Sequence, residues 1–490
     1  MKMNKFSFIL AAAVSVAALL APAASAQTIN ILGAGSSAIW QSAALGAFGL
    51  AGAGAGHYTV GGNCADGTPV ARIIDSRDPS ISPEGGNIWV VWSADQSQVW
   101  AYISVDSTVG NRAFFAVPRA TVALGCTEGV PAGQNRIVAA LWKDGSADSA
   151  LPPAVAAALS PDASASVTTA FTDIRPEDAK FAEDFTFGIY GTTPILSAFS
   201  NAKATPVEFN IMGTDPFTGL PVPAFTTIPV GAAPIVFIVN RTAPNSLGTN
   251  LPAATAASIF SGANCAGMTA LLREPLSGTM NTTEFTVFAA DGRPFPQQEQ
   301  GITSNPVNQP CTGGTGFRLR GIGTGEIVSG VHNIANSIGY SFFGYGNFAS
   351  IAGSSSWGYL TLDGVDPIKS AYTDGILPTC AAPCPVPAGT SFPHLRDGSY
   401  RSWSVLRTVT DNAGLAATNA IVNAIQSNIN SSVPDFVPYN ELQLYRSHFT
   451  QSGFPAANPA PVGPGESGGD VGGCIRPLTD PFPGVLECRQ

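Results

Sequence analysis

The stretch Arg273-Glu274-Pro275-Leu276-Ser277-Gly278-Thr279 carries the most suggestive chemistry in this chain. A guanidinium stands four residues before a Ser-Gly-Thr step, and residues 280–288 then have helix-forming potential. Glycine lets the backbone approach a bound group closely. Two hydroxyls converge there, and a helix N-terminus adds roughly half a positive charge. These are the elements that hold an oxyanion out of bulk water. A similar device, Gly33-Ala34-Gly35-Ser36-Ser37-Ala38, lies near the start of the chain. Two anion cradles so far apart in sequence imply two lobes that close on one ligand.

The elements that must position these turns alternate between strand and helix. Residues 28–32 read as a short apolar strand and 39–48 as a helix, with a Gly/Ala tip at 50–56. Residues 88–92 and 100–105 are rich in β-branched and aromatic side chains and read as strands, with Trp89, Trp92 and Trp100 in their core. Asp106-Ser107-Thr108-Val109-Gly110-Asn111 is a strand end turning into a helix start. The Ala/Ser-rich segments 148–159 and 165–170 suggest helices leading to Thr172-Asp173. Residues 234–239 form an apolar run too short for a helix, as in a buried strand of a parallel sheet. Helices are expected at 254–260, stopped by Ser261-Gly262, at 326–335 and at 415–429; strands are expected at 338–343 and 401–409. Residues 455–473 are Pro/Gly-rich and loose. Such alternation specifies α/β layers. Gly-rich turns at the carboxyl ends of strands are where such sheets bind ligands.

Composition narrows the function classes. Residues 1–26 read as a secretory signal: Lys2 and Lys5 precede an apolar core at 6–20, and Ala24-Ser25-Ala26 is a small-residue cleavage site. The mature chain then starts at Gln27, in the periplasm or outside the cell, with no further segment apolar enough to insert in a membrane. Eight cysteines in an exported chain point to disulfides rather than metal ligands. Neighbours in sequence suggest Cys64–Cys126, Cys265–Cys311, Cys380–Cys384 and Cys474–Cys488. The formal charge of −10 becomes more negative when Lys2 and Lys5 leave, which excludes nucleic acid as a partner. A small anion remains accessible, because local N–H donors and one placed arginine decide that site.

With these turns in hand, the order of motifs resembles the phosphate-binding protein of bacterial phosphate ABC importers, a type 2 periplasmic solute-binding protein. Gly33 to Ser37 matches the family's opening turn. Asp106 to Gly110 stands in the place of its Ser-rich strand–helix turn, Thr172-Asp173 in that of its Ser-Asp step, and Arg273 to Thr279 in that of its Arg-x-x-x-Ser-Gly-Thr loop. The resemblance implies an α/β Venus flytrap: lobe one from residues 27–239 and 372–490, lobe two from 240–371. It implies ligand contacts from Ser36, Ser37, Ala38, Ser107 and Asp173 in lobe one, and from Arg273, Ser277, Gly278 and Thr279 in lobe two. It further implies a monomer that binds phosphate or a related oxyanion for an ABC permease, with no cofactor, no metal and no catalysis. Asp173 would accept a hydrogen bond from a protonated phosphate oxygen and so reject fully ionised sulfate.

Departures and alternatives stand beside this. The family's acidic residue two after the arginine is here Pro275, and the double glycine of the second motif is missing. Asp173 taken alone is more often the N-cap of a helix, here one starting near Pro176. Gly465-Glu466-Ser467-Gly468-Gly469 fits a nucleophile pattern but lies among prolines and glycines. His57, His332, His394 and His448 lack metal-ligand spacing. A secreted phosphate-ester hydrolase using Ser37 or Ser277 near Asp173 is the runner-up. A surface protein that keeps the fold without a ligand is the third reading.

Overall fold

The computed structural model describes residues 27–126, 147–163, 165–242, 247–289, 293, 296–379, 392–429, 435–442, 444–448 and 473–477. Its chain begins with β1 (Thr28–Gly35), α1 (Trp40–Ala51), β2 (Gly56–Val60), β3 (Ala71–Ile74), β4 (Glu84–Trp92) and β5 (Gln98–Ser104). There follow α2 (Ser107–Phe115), β6 (Thr121–Leu124), α3 (Pro153–Ala158), β7 (Thr169–Thr172) and α4 (Pro176–Tyr190). The long β8 (Thr226–Asn240) leads to α5 (Ala253–Phe260), β9 (Thr269–Leu272) and α6 (Gly278–Thr283), which continues into a π-turn at Glu284–Phe288. Next come β10 (Asn308–Pro310), β11 (Phe317–Arg320), α7 (Gly323–Asn333), β12 (Ser337–Phe342) and β13 (Trp357–Tyr359). The last elements used here are β14 (Trp403–Thr410), α8 (Leu415–Ile429) and β15 (Val437–Pro438).

These strands form one mixed 15-stranded sheet with the path β10-β11-β9-β12-β8-β14-β7-β1-β5-β4-β3-β6; β13 and β15 pair with β8, and β2 with β4. The fold is therefore α/β in two halves that share β8. Its first part, Thr226–Pro234, runs antiparallel to β14, and its second, Ile235–Val239, antiparallel to β12. Each half also has a parallel centre: β1 with β5 and β7 in the first, β9 with β11 and β12 in the second.

Four expectations are corrected. The apolar run 234–239 is a fully buried strand, but both its neighbours are antiparallel, because an unbroken apolar run reports burial and not strand direction. Residues 165–170 are not helical: Thr169 and Ala170 belong to β7, wedged between β1 and β14, where ladder bonds on both sides override Ala/Ser helix propensity. The helix expected over 148–159 is confined to α3, with Pro153 at its first position. The tip at 50–56 is also shorter than read, since α1 continues to Ala51 and β2 starts at Gly56. Helix α8 has the expected bounds.

Aromatic side chains fill both halves. Trp89 and Trp92 of β4 and Trp100 of β5 are buried, and the Trp89 indole N–H donates to the Trp40 carbonyl at 3.0 Å. In the second half Phe237, Phe260, Phe288 and Tyr340 pack together, the Phe260 and Phe288 rings 4.9 Å apart. Disulfides Cys64–Cys126 and Cys265–Cys311 form as expected, with Cα separations of 6.1 and 6.0 Å. The other two pairings, the signal segment, the Gly465–Gly469 pattern and the 455–473 tail involve residues outside the described ones. No described helix is long and apolar enough to cross a membrane.

Two outcomes follow from this core. Phe237→Ala, at a fully buried ring between three others, costs about 3–5 kcal/mol of stability, read as a lower guanidinium midpoint. Burial pushes the Glu284 carboxyl from 4.5 up to about 7, against the amide donors of Gln297 and Gln298. The folded state thus holds a proton that the unfolded chain releases. This contribution is fully present below the unfolded value and declines as pH rises from there through about 7. Melting temperatures measured across this window should fall less steeply in Glu284→Gln than in the parent protein.

Candidate functional site

Five turns at the carboxyl ends of parallel strands supply the site. They follow β1 (Ser36, Ser37, Ala38), β5 (Asp106, Ser107), β7 (Asp173), β9 (Arg273 to Thr279) and β11 (Gly323, Thr324). Parallel pairing places the three turns of the first half on one sheet edge and the two of the second half on another. Backbone bonds fix them: Ser36 N–H donates to Phe171 O at 2.8 Å and Val105 N–H to Gly35 O at 2.9 Å. A Cβ on Gly110 would stand 2.5 Å from Ala34 O, so this one glycine seats α2 against the end of β1. The first turns of α2 and α6 are braced alike. Asn111 Nδ2 donates to Ser107 O and Asn281 Nδ2 to Ser277 O, both at 2.8 Å.

The two halves meet side chain to side chain. Ser107 Oγ donates to Asp173 Oδ1 and accepts from Asp173 N–H at 3.1 Å, while Thr279 Oγ1 donates to Asp173 Oδ2 at 3.3 Å. Gly278 sits so close that a Cβ there would fall 2.0 Å from Asp173 Oδ1 and 2.9 Å from Ser107 Oγ. Beside this cluster, Arg273 Nη1 donates to Thr324 Oγ1 at 3.3 Å, and Thr324 Oγ1 shares a hydrogen bond with Ser37 Oγ at 2.6 Å. Arg273 Nη2 reaches Asp106 Oδ1 at 3.0 Å and Glu274 Oε1 at 2.9 Å, and Nε reaches Glu274 Oε2 at 3.1 Å.

Of the nine residues expected from the sequence, Ser107, Asp173, Gly278 and Thr279 form one contact cluster. Arg273 and Ser37 join through Thr324. The Ser36 and Ser277 hydroxyls and the Ala38 amide bond within their own turns: Ser36 Oγ accepts from Ala38 N–H at 3.1 Å, and Ser277 Oγ caps α6 by accepting from Met280 N–H at 3.3 Å. Asp173 is not a helix cap. The cap position of α4 is Arg175, which makes no side-chain cap bond.

Three participants were missed. Glu274 supplies the acidic partner sought at Pro275, one residue early, so the departure is a shift and not a loss. Thr324 had a signal in Gly321-Ile322-Gly323-Thr324-Gly325, a Gly-rich turn after a strand. Asp106 opened a quoted motif without being chosen, because its turn was read for the serine.

The electrostatics are those of a buried ionic cluster. Burial opposes charge on Arg273, which is 1 % exposed, but the Glu274 and Asp106 carboxyls hold the guanidinium protonated. Burial likewise opposes charge on Glu274, and Arg273 wins, holding it below the usual carboxylate value. Asp106 goes the other way: burial, then repulsion from Glu274, pushes its carboxyl up despite Arg273. Thr108 Oγ1, Asn111 Oδ1 and Asn281 Oδ1 are buried without a hydrogen-bond partner among the described residues. His57 pairs with Asp148 at 2.8 Å, His332 packs on Trp357, and His394 bonds Ser399, all away from these turns. Among the described residues no group of His, Cys, Asp or Glu side chains is arranged to hold a metal ion.

No family model and no curated protein matches the sequence. Among solved structures, the chain is similar to a human phosphate binding apolipoprotein, with 12% identity, a TM-score of 0.35, and 84% of this chain and 92% of that one covered. It is similar to a phosphate binding protein from Stenotrophomonas maltophilia at 15% identity and TM-score 0.30, covering 56% and 77%. A third is an ABC-type phosphate transport receptor from Vibrio cholerae, at 11% identity and TM-score 0.25, covering 42% and 70%. Identities this low leave the ligand to be decided by the side chains themselves.

The close approach at Gly278 gives a direct check. Gly278→Ala should force Asp173 and Thr279 apart and loosen the junction of the halves. The expected readout is faster amide exchange in the 278–283 and 107–115 segments, with the distant core unchanged.

Proposed function

We infer that this protein is an exported solute-binding protein that captures an oxyanion, phosphate first, between its two halves for ABC-type uptake. The observation that carries the reading is convergence. Hydroxyls of Ser37, Ser107, Thr279 and Thr324, the Arg273 guanidinium and the Asp173 carboxylate come from five strand ends, Ser37 and Thr324 being 287 residues apart in sequence. The first amides of α2 and α6, free of intrahelical acceptors by geometry, add donors from one half each. Closure follows from linkage: an anion that touches both halves favours the state in which both reach it.

Residues 27–239 with 372–490 are proposed as lobe one and 240–371 as lobe two, with β8 crossing between them. Ser36, Ser37, Ala38, Ser107, Asp173, Arg273, Ser277, Gly278 and Thr279 are the proposed ligand set, Thr324 joining it. The protein acts as a periplasmic or secreted monomer handing its anion to a permease. Two features disfavour hydrolysis. Ser37 Oγ is engaged with Thr324 and Ser277 Oγ with its own helix, so neither is paired with a base.

Calorimetric titration of the mature protein with phosphate and with sulfate tests the reading. Phosphate is expected to bind at micromolar concentration or below, and Thr279→Val and Ser107→Ala each to weaken it about tenfold, one charge-assisted hydrogen bond's worth. Asp173→Asn should let sulfate compete, because the amide no longer demands a protonated oxygen. No heat with either anion in the folded parent protein would refute phosphate capture. Arg273→Ala is a poorer probe, since it strands the buried Glu274 charge.

A further inference from the structure

Asp106 has the backbone of a helix cap without acting as one. It occupies the N-cap position of α2 with extended φ −132° and ψ 162°, and aspartate is among the residues that best bond the first helical amides. Its carboxyl makes no such bond. Oδ1 instead accepts from Arg273 Nη2 at 3.0 Å, across the junction of the halves and 167 positions along the chain. Ser277, at the matching position of α6, does cap its helix. The guanidinium is thereby covered on three sides, by Glu274 and Thr324 of its own half and by Asp106 of the other. Burial, the charge of Glu274 and a side-chain hydrogen bond to it, and more weakly Glu84, push the Asp106 carboxyl up, so its place beside Arg273 is a crowded one.

We propose that Asp106 is a built-in competitor for the anion at Arg273. Its carboxyl occupies, from the first half, the Nη2 position that an incoming oxyanion needs, and so ties the halves together until an anion displaces it. The displaced carboxyl then turns back to cap α2. This rests on the reading of Arg273 as an anion ligand. The apparent affinity for the anion is lowered by the fraction of molecules in which the Asp106–Arg273 contact is made.

The test uses the mature full-length chain and inorganic phosphate, read by calorimetry, with small-angle scattering of the anion-free protein alongside. Asp106→Ser keeps a capping hydroxyl but is too short to reach Arg273, whereas Asp106→Asn keeps both length and acceptor. The serine variant is expected to bind phosphate about tenfold tighter and to show a larger anion-free radius of gyration, with the asparagine variant near the parent in both. Equal or weaker phosphate binding by Asp106→Ser overturns the proposal, and weaker binding makes Asp106 a ligand instead. If no form binds phosphate, the phosphate reading fails separately and scattering decides the tie. A larger radius in Asp106→Ser supports it, and an unchanged radius overturns it.

Discussion

A guanidinium with almost no access to water sets the terms for everything around it. Leaving Arg273 unpaired in the interior would cost several kcal/mol, so its surroundings must supply acceptors on every side. Glu274 does so with two oxygens and is itself anchored by the Gly323 N–H at 3.2 Å. That bond, with the one from Arg273 to Thr324, ties the turn after β9 to the turn after β11. Thr324 then presents its hydroxyl to Arg273 on one side and to Ser37 of the first half on the other. The order of the second-half strands, with β9 beside β11, is what makes this bracing possible.

The sheet explains why five turns can meet. A parallel strand ends where its parallel neighbour ends, so β1, β5 and β7 deliver their loops to one edge without further design, as do β9 and β11. The antiparallel β8 contributes no loop to that edge. Its task is continuity: fifteen residues of one strand belong to the ladders of both halves. A register shift between Pro229 and Gly231 bends it in the first half, before the ladder passes from β14 to β12. The site therefore lies between two halves of one sheet, whose relative placement depends on one shared strand and on the side chains that meet between them.

Much of this was legible in the chain, for a definite reason. The Ser-Gly-Thr step, the Gly-Ala-Gly turn and the Thr-Asp step are constrained by local backbone geometry, so they show as short motifs whatever surrounds them. Helix α8 was found with the same bounds because its periodicity is local too. What escaped depended on distant partners. The parallel or antiparallel sense of β8 is a property of its neighbours, and the helix-prone 165–170 segment was overruled by strands on either side. Glu274, Thr324 and Asp106 belong to the cluster by position, each being an ordinary residue type in an ordinary turn. Of the three, Glu274 could have been reached by asking what must neutralise a buried Arg273 within one residue of a proline.

The acidity of the site is consistent with anion capture once charge is separated from hydrogen bonding. Glu274 cancels the charge of Arg273, and crowding favours the neutral form of Asp106, so the cluster offers little net positive field to an anion. What it offers is donors fixed in place: hydroxyls on four turns, a planar guanidinium, and helix-start amides braced by Asn111 and Asn281. On the proposed reading, such an arrangement would discriminate by proton count rather than by charge. Asp173, bonded to Ser107 and Thr279, as an ionised carboxylate accepts hydrogen bonds but cannot give one, so an anion placed against it would have to bring a proton. An acidic protein surface slows the encounter with an anion but leaves this choice untouched, because selectivity is decided after desolvation, where each unpaired lone pair carries its full cost.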